Sequence, residues 1–129
     1  MSNPKVFNNF KIHTQYSICE GAIKIDDLAS HCKDNTIPTI GICDSFNMCG
    51  ALEFAEKVSK SGTQPIIGTQ INFSFENSIG KLPLFASTSL GYKNLIKLSS
   101  KSYLDSDEKT DAHCKLSELE NINEDLILL

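Results

Sequence analysis

The sequence lacks both an excess of positive charge and a long apolar run. It carries 12 Lys and Arg against 16 Asp and Glu in 129 residues, which gives a net charge of −4. Proteins that bind nucleic acid through a broad surface are usually basic, so this chain alone is not expected to do so. No apolar stretch approaches the ~20 residues of a membrane helix, and the N-terminus has no signal-peptide pattern. We therefore expect a cytoplasmic protein with no membrane partner.

Common ligand-binding motifs are also missing. The chain contains neither G-x-G-x-x-G nor G-x-x-x-x-G-K-[ST], so the usual phosphate-binding loops are absent. Its 5 cysteines are an odd number, and Cys43 and Cys49 lack the spacing of a zinc knuckle. Free thiols in a reducing compartment are expected. No internal repeat of useful strength is present.

The most informative stretch that is present runs from Pro38 to Ala55. Small and β-branched residues up to Asp44 predict a strand, a polar turn follows, and the pattern from Ala51 predicts a helix. In α/β proteins, ligand-binding groups gather after the carboxyl end of a strand. Asp44 is therefore a candidate site residue. The alternative is that it caps a helix that begins near Asn47.

Strand and helix patterns alternate along the whole chain. The expected elements are strands at 10–13 and 38–44, helices at 23–34 and 51–61, strands at 65–75 and 82–87, helices at 90–103 and 115–121, and a last strand at 124–129. In the second helix, Leu52, Ala55 and either Val58 or Phe54 are expected to face inward. The alternation predicts an α/β fold, either a barrel or an open parallel sheet.

Three features concern the second half of the chain. Residues 76–81 read as a turn, and Pro83 favours an edge position or the start of its strand. The polar and charged segment at about 105–114 is predicted to be flexible. The last strand is apolar and stops at Leu129. Because a buried parallel strand seldom ends a complete domain, we expect a fragment.

Polar residues near the strand ends could meet at one rim of the sheet. His13, Glu20 and Asp44 offer imidazole and carboxylate groups, which are ligands of divalent ions. A hydrolytic centre needs more ligands and an open position for water. The structural alternative has His13 hydrogen-bonded within a turn, Glu20 solvated and Asp44 as a helix cap, and the residue types alone favour it.

A series of short motifs covers nearly the whole chain. They are Phe10-Lys-Ile-His13-Thr-Gln-Tyr-Ser17, Glu20-Gly-Ala22, Ile40-Gly-Ile-Cys-Asp44, Asn47-Met-Cys-Gly50, Lys60-Ser-Gly-Thr-Gln-Pro-Ile-Ile-Gly68, Gly91-Tyr-Lys-Asn-Leu95, Leu98-Ser-Ser-Lys-Ser-Tyr103 and Asn123-Glu-Asp-Leu-Ile-Leu-Leu129. Together and in this order they closely resemble the N-terminal PHP (polymerase and histidinol phosphatase) domain of the bacterial DNA polymerase III alpha subunit. The resemblance implies that residues 1–129 are the first part of a distorted (βα)₇ barrel, incomplete at the C-terminus.

The resemblance also identifies the positions of the family's metal ligands. Active members carry H-x-H in the first motif, where this chain has Lys11-Ile-His13, and Asp-His-Gly in the second, where it has Asp44-Ser45-Phe46. Gln70 stands where an acidic ligand is expected, while Glu20 keeps its carboxylate. The Lys11 ammonium would repel a cation. No metal and no catalytic residue are therefore expected here, and only His13, Glu20 and Asp44 remain as weak candidates.

The functional expectation follows from the same resemblance. The parent chain would be a DNA-directed DNA polymerase, a nucleotidyltransferase whose Mg²⁺ and DNA contacts lie in other domains. This part would act as a metal-free platform that supports the polymerase and docks a separate proofreading exonuclease subunit, with the sliding clamp as a further partner of the replicase. The alternative is a phosphoesterase or 3′–5′ exonuclease that keeps a reduced Zn²⁺ or Mn²⁺ centre, with ligands from beyond Leu129.

Overall fold

The computed structural model describes residues 7–129, which form four helices and five strands. In chain order they are α1 (Ile25–Asp34), β1 (Thr39–Ser45), α2 (Ala51–Lys60), β2 (Gln64–Phe75), β3 (Ser78–Ala86), α3 (Ser89–Leu104), β4 (Cys114–Lys115), α4 (Leu116–Asn121) and β5 (Leu126–Leu128). None of the helices in this described part is long and apolar enough to span a bilayer. All five cysteines are free, as expected.

The strands form one open sheet in the order β1-β2-β3-β5, with β4 paired to β2. β1 and β2 run parallel, whereas β2 with β3 and β3 with β5 are antiparallel. The α/β class is confirmed, and an open sheet is consistent with an incomplete barrel. The alternative of a wholly parallel sheet is wrong, because β2 and β3 form a hairpin with only Glu76 and Asn77 between their paired ends.

Apolar stripes on the helices build two neighbouring cores. α1 buries Ile25, Leu28, Ala29 and Cys32, the stripe that its sequence period indicates. Together with α2 it packs on β1 to form the first core. The second core lies between α3 and the hairpin strands β2 and β3. In α2 the buried residues are Ala51, Phe54 and Val58, so the expectation that Leu52 faces inward is wrong.

Several strand predictions need correction. Residues 10–13 do not form a regular strand, although the backbone carbonyls of Asn9 and Ile12 accept hydrogen bonds from β1. Pro83 lies inside β3 rather than at its start, because β3 begins at Ser78 and the turn is shorter than expected. β5 pairs antiparallel with β3 and is largely exposed, so it is not a buried parallel strand. The flexibility of residues 105–114 stays a prediction.

Candidate functional site

The end of β1 brings most of the predicted site residues together. In the parallel pair of β1 and β2, Asp44 lies beside Thr69 and Ser45 beside Gln70. The segment before α1, which contains His13 and Glu20, folds over the same strand ends through the hydrogen bonds described below. The carboxyl ends of parallel strands are the usual place for ligand groups in α/β sheets. The geometry of this rim therefore decides what the site can hold.

Asp44 is the buried centre of the rim, with 1% of its surface exposed. One carboxylate oxygen accepts from the Thr14 backbone N–H at 2.6 Å and from the Ser17 hydroxyl at 2.7 Å. The other accepts from the Thr14 hydroxyl at 2.7 Å. The capping interpretation is wrong, because α2 begins at Ala51 with Gly50 at its N-cap and no side-chain capping bond. The Asp44 oxygens are therefore engaged by donors of the chain itself.

Ser17 links Asp44 to the neighbouring groups. Its hydroxyl donates to Asp44 and accepts from the Ser45 backbone N–H at 3.0 Å. His13 Nδ1 lies 3.3 Å from the same hydroxyl oxygen. The other imidazole nitrogen, Nε2, lies 3.0 Å from the side-chain nitrogen of Gln70. Because that amide nitrogen can only donate, Nε2 accepts and the imidazole proton sits on Nδ1, facing Ser17.

Glu20 forms the outer part of the rim. Its Oε2 accepts from the Ser45 hydroxyl at 2.6 Å and lies 3.7 Å from His13 Nδ1. Its Oε1 accepts from the Lys81 ammonium at 3.0 Å. The Ser45 hydroxyl, followed by Lys81, holds the pKa of Glu20 below its usual value. Glu20 is thus exposed but hydrogen-bonded on both oxygens.

The positive charge at the rim comes from β3, a contribution that sequence reasoning missed. Lys81 contacts Glu20, and its ammonium also lies 5.0 Å from the centroid of the Phe46 ring. Lys11, the cation expected there, is exposed and makes no ion pair with another residue of the described range 7–129.

Burial raises the pKa of the Cys43 thiol to about 12, and the charge of Lys11 partly opposes that rise.

Phe46 follows Ser45 in an unusual backbone conformation. Its φ of 64° is in the left-handed region, which glycine adopts readily and a bulky side chain seldom does. Its backbone N–H donates to the Gln70 carbonyl at 2.9 Å, and its carbonyl accepts from the Tyr103 hydroxyl at 2.6 Å. The turn after β1 is therefore fixed on both sides, by β2 and by the end of α3.

The residues present do not suit a metal cluster. Within the described range 7–129, no group of three or more His, Cys, Asp and Glu side chains is arranged to hold an ion. The carboxylates of Asp44 and Glu20 already accept hydrogen bonds from their neighbours, and an ammonium group stands beside Glu20. The Asp44 carboxylate, which serves three internal donors, has few lone pairs left for an ion.

The lowered pKa of Glu20 predicts a pH-dependent contribution to stability. A carboxylate whose pKa is lower in the folded than in the unfolded state stabilises the fold above the unfolded value, and this contribution disappears as pH falls through the folded value. We therefore expect Glu20→Gln to lower the melting temperature at neutral pH, and the difference from wild type to shrink as pH falls below 4.5. Circular dichroism melts across the acid range measure this.

A matched control is Glu76→Gln, which makes the same chemical change at an exposed residue of the β2–β3 turn. It should leave the melting temperature nearly unchanged at every pH. If the Glu20→Gln difference were equally large in acid, the carboxylate charge would not be its cause.

Comparison with known proteins adds the evolutionary context. The sequence model of the PHP domain matches residues 9–129. DNA polymerase III subunit alpha of Buchnera aphidicola subsp. Acyrthosiphon pisum is 40% identical over 106 residues, which are 80% of this chain and 9% of that protein. The subunit of Rickettsia felis is 35% identical over 124 residues, 95% of this chain and 10% of that protein. The chain thus spans about a tenth of the length of these curated relatives.

Two solved structures share the fold. A candidate metal-dependent phosphoesterase from Bifidobacterium adolescentis has a TM-score of 0.54 at 17% identity, over 78% of this chain and 36% of that one. An amidohydrolase from Chromobacterium violaceum has a TM-score of 0.54 at 12% identity, over 73% of this chain and 34% of that one. Both matches cover only part of the neighbour, as expected for an incomplete barrel. Since the family match extends from residue 9 to the last residue, the chain belongs to the PHP domain family.

Proposed function

We propose that this chain is the N-terminal PHP portion of a replicative DNA polymerase III alpha subunit and serves it as a metal-free structural platform. Curated relatives at 34–40% identity are DNA polymerase III alpha subunits, which supports the assignment to this subunit. The observation that carries the platform role is the engagement of Asp44, whose carboxylate is buried and already accepts three hydrogen bonds from Thr14 and Ser17.

The chemistry of the rim supports the metal-free role step by step. At the family's ligand positions, Ser45 offers a hydroxyl and Gln70 an amide, both poorer ligands for a divalent ion than imidazole or carboxylate. Ser45 donates its proton to Glu20, and the Gln70 amide nitrogen faces His13. These contacts connect the strand ends through side chains of the protein itself. A rim built in this way suits a rigid support better than a hydrolytic centre.

DNA synthesis itself is assigned to the rest of the parent chain. With a net charge of −4, residues 1–129 lack the positive balance typical of DNA-binding domains, so DNA and catalytic Mg²⁺ would bind to the polymerase domains. This chain alone would have no catalytic activity. The platform would also dock a separate proofreading exonuclease subunit, in a cytoplasmic replicase that includes a sliding clamp.

The competing function is that of a metal-dependent phosphoesterase or 3′–5′ exonuclease with a reduced Zn²⁺ or Mn²⁺ centre. The fold shared with the Bifidobacterium protein, named as a metal-dependent phosphoesterase, is the observation in its favour. It would need ligands from outside this sequence, because the described residues hold no group of three suitable side chains. The two functions therefore differ in one measurable quantity, the affinity for divalent ions.

Isothermal titration calorimetry with Mn²⁺ and Zn²⁺ separates the two functions. We expect no sub-micromolar site in the chain or in the complete alpha subunit. A positive control is the triple variant Lys11→His, Ser45→His and Gln70→Glu, which restores the family's ligand types and should gain affinity for Mn²⁺ if circular dichroism shows it folded. A sub-micromolar wild-type site whose affinity falls in His13→Ala would contradict the platform role.

Docking is tested on the complete alpha subunit with its cognate exonuclease subunit. Size-exclusion chromatography should show co-elution of the two proteins, and this should be lost when the PHP domain is deleted while polymerase activity on primed DNA persists at a reduced level. Undiminished co-elution after the deletion would place the exonuclease site outside the PHP domain.

A further inference from the structure

The rim contains a cation that belongs to the protein. Within the rim, Glu20 Oε1 and the Lys81 ammonium are 3.0 Å apart, and Lys81 comes from a strand that is 61 residues away in sequence. We propose that Lys81 is a tethered counter-cation, which neutralises Glu20 where an ion would otherwise bind and thereby excludes divalent metals from the rim. This inference rests on the metal-free role proposed above.

The ammonium has favourable surroundings on two sides. One is the Glu20 carboxylate, and the other is the Phe46 ring, whose centroid is 5.0 Å from Nζ. A cation within about 6 Å of an aromatic centroid is attracted to the electron-rich face of the ring. Lys81 therefore has two favourable contacts, a carboxylate and an aromatic face, whereas a simple surface ion pair has only the carboxylate.

The backbone of Phe46 supports the same interpretation. With φ at 64°, this residue adopts a conformation that is strained for a bulky side chain. Glycine would adopt this conformation readily, so a bulky ring at this position is unusual. The Phe46 ring is the one that lies against the Lys81 ammonium. Phe46 and Lys81 thus form one unit at the mouth of the rim.

Removal of the ammonium would leave a pair of potential ligands. Glu20 Oε2 and His13 Nδ1 are 3.7 Å apart. Two adjacent ligand atoms on one octahedral ion such as Mn²⁺, each ~2.1 Å from it, are about 3.0 Å apart, so a side-chain adjustment would let both reach one ion. The imidazole would then carry its proton on Nε2 and donate it to the amide oxygen of a reoriented Gln70. Two protein ligands plus water give weak binding.

The test compares Mn²⁺ binding by wild type and Lys81→Met, measured from the electron paramagnetic resonance signal of free Mn²⁺. We expect Lys81→Met to bind Mn²⁺ at least about tenfold more tightly than wild type, a gain that Glu20→Gln in the same background abolishes. Lys81→Arg keeps the positive charge and should behave as wild type. Lys33→Met removes a charge at the far end of α1 and controls for the general change in net charge.

The outcomes separate this inference from the proposed function. If Lys81→Met and the second neutral variant Lys81→Gln are both folded by circular dichroism and bind Mn²⁺ no better than wild type, the counter-cation role is wrong, and the metal-free platform is unaffected. If wild type itself binds Mn²⁺ with sub-micromolar affinity, both roles fail. The domain is then not metal-free, and the ammonium does not exclude divalent ions. If Lys33→Met gains as much affinity as Lys81→Met, the effect is one of net charge and the inference is overturned.

Discussion

Replacing Asp44 by alanine is expected to lower the free energy of unfolding by about 3–5 kcal/mol, because each buried donor left without a partner costs about 1–3 kcal/mol. The substitution leaves three such donors, the Thr14 N–H, the Thr14 hydroxyl and the Ser17 hydroxyl. Water that enters the space left by the carboxylate recovers part of the loss. Urea denaturation followed by circular dichroism measures the change in unfolding free energy.

The matched control is Asp34→Ala, the same substitution at an exposed residue in the last turn of α1. It should change the unfolding free energy by no more than about 0.5 kcal/mol. Asp44→Asn keeps the shape of the side chain but turns one acceptor into a donor, so its cost should be intermediate. A loss of only about 1 kcal/mol for Asp44→Ala would match the cost of an ordinary helix cap and contradict the role as a buried hydrogen-bond centre.

The sequence located Asp44 correctly at the end of a strand, yet it did not identify what the carboxylate does. The strand and the turn are local features, readable from residue types over a short window. The donors of Asp44 come from Thr14 and Ser17, which lie 30 and 27 residues away along the chain. Such pairs are fixed by the packing of the N-terminal segment on β1, for which no local pattern exists. The capping interpretation failed for this reason.

Lys81 shows the same limit for the electrostatics of the rim. The sequence placed a cation at Lys11, through a family motif, and treated Lys81 as a turn residue. In the structure β3 begins at Ser78, and Lys81 pairs with Asn72 of β2, two positions beyond Gln70. The register of the hairpin would have been the signal, since it carries Lys81 back towards the strand ends. Register depends on the turn of only two residues, which was predicted too long.

Helices were easier to predict than strand pairing. The helices predicted at 23–34 and 90–103 correspond to α1 and α3. Their apolar stripes and caps, such as the Thr88 hydroxyl that accepts from the N–H groups of Leu90 and Gly91, depend on residues within a turn or two. β5 is different, because its apolar residues suit a buried parallel strand and an exposed antiparallel one alike. Only the partner strand decides between these, and that partner, β3, precedes it by the whole length of α3, β4 and α4.

Replacing Phe54 by alanine is expected to lower the free energy of unfolding by about 3–5 kcal/mol, the range for deletion of a fully buried aromatic ring. Phe54 has no exposed surface and lies in the core formed by α1, α2 and β1. The ring contributes apolar area and also fills the space between the helices and the sheet, so its removal leaves a cavity. Urea denaturation measures the loss, and the circular dichroism spectrum before denaturation shows whether the variant folds.

Leu52→Ala is the control on the same helix, because Leu52 is 70% exposed. It should cost less than about 0.5 kcal/mol. Residues two positions apart on an α-helix point about 200° apart, so Leu52 and Phe54 cannot both face the core, and the pair of variants decides which of them does. A large loss of unfolding free energy for Leu52→Ala with a small one for Phe54→Ala would mean that α2 is rotated about its axis relative to this structure. That rotation would displace the turn that carries Phe46, and the proposed counter-cation arrangement at the rim would fail with it.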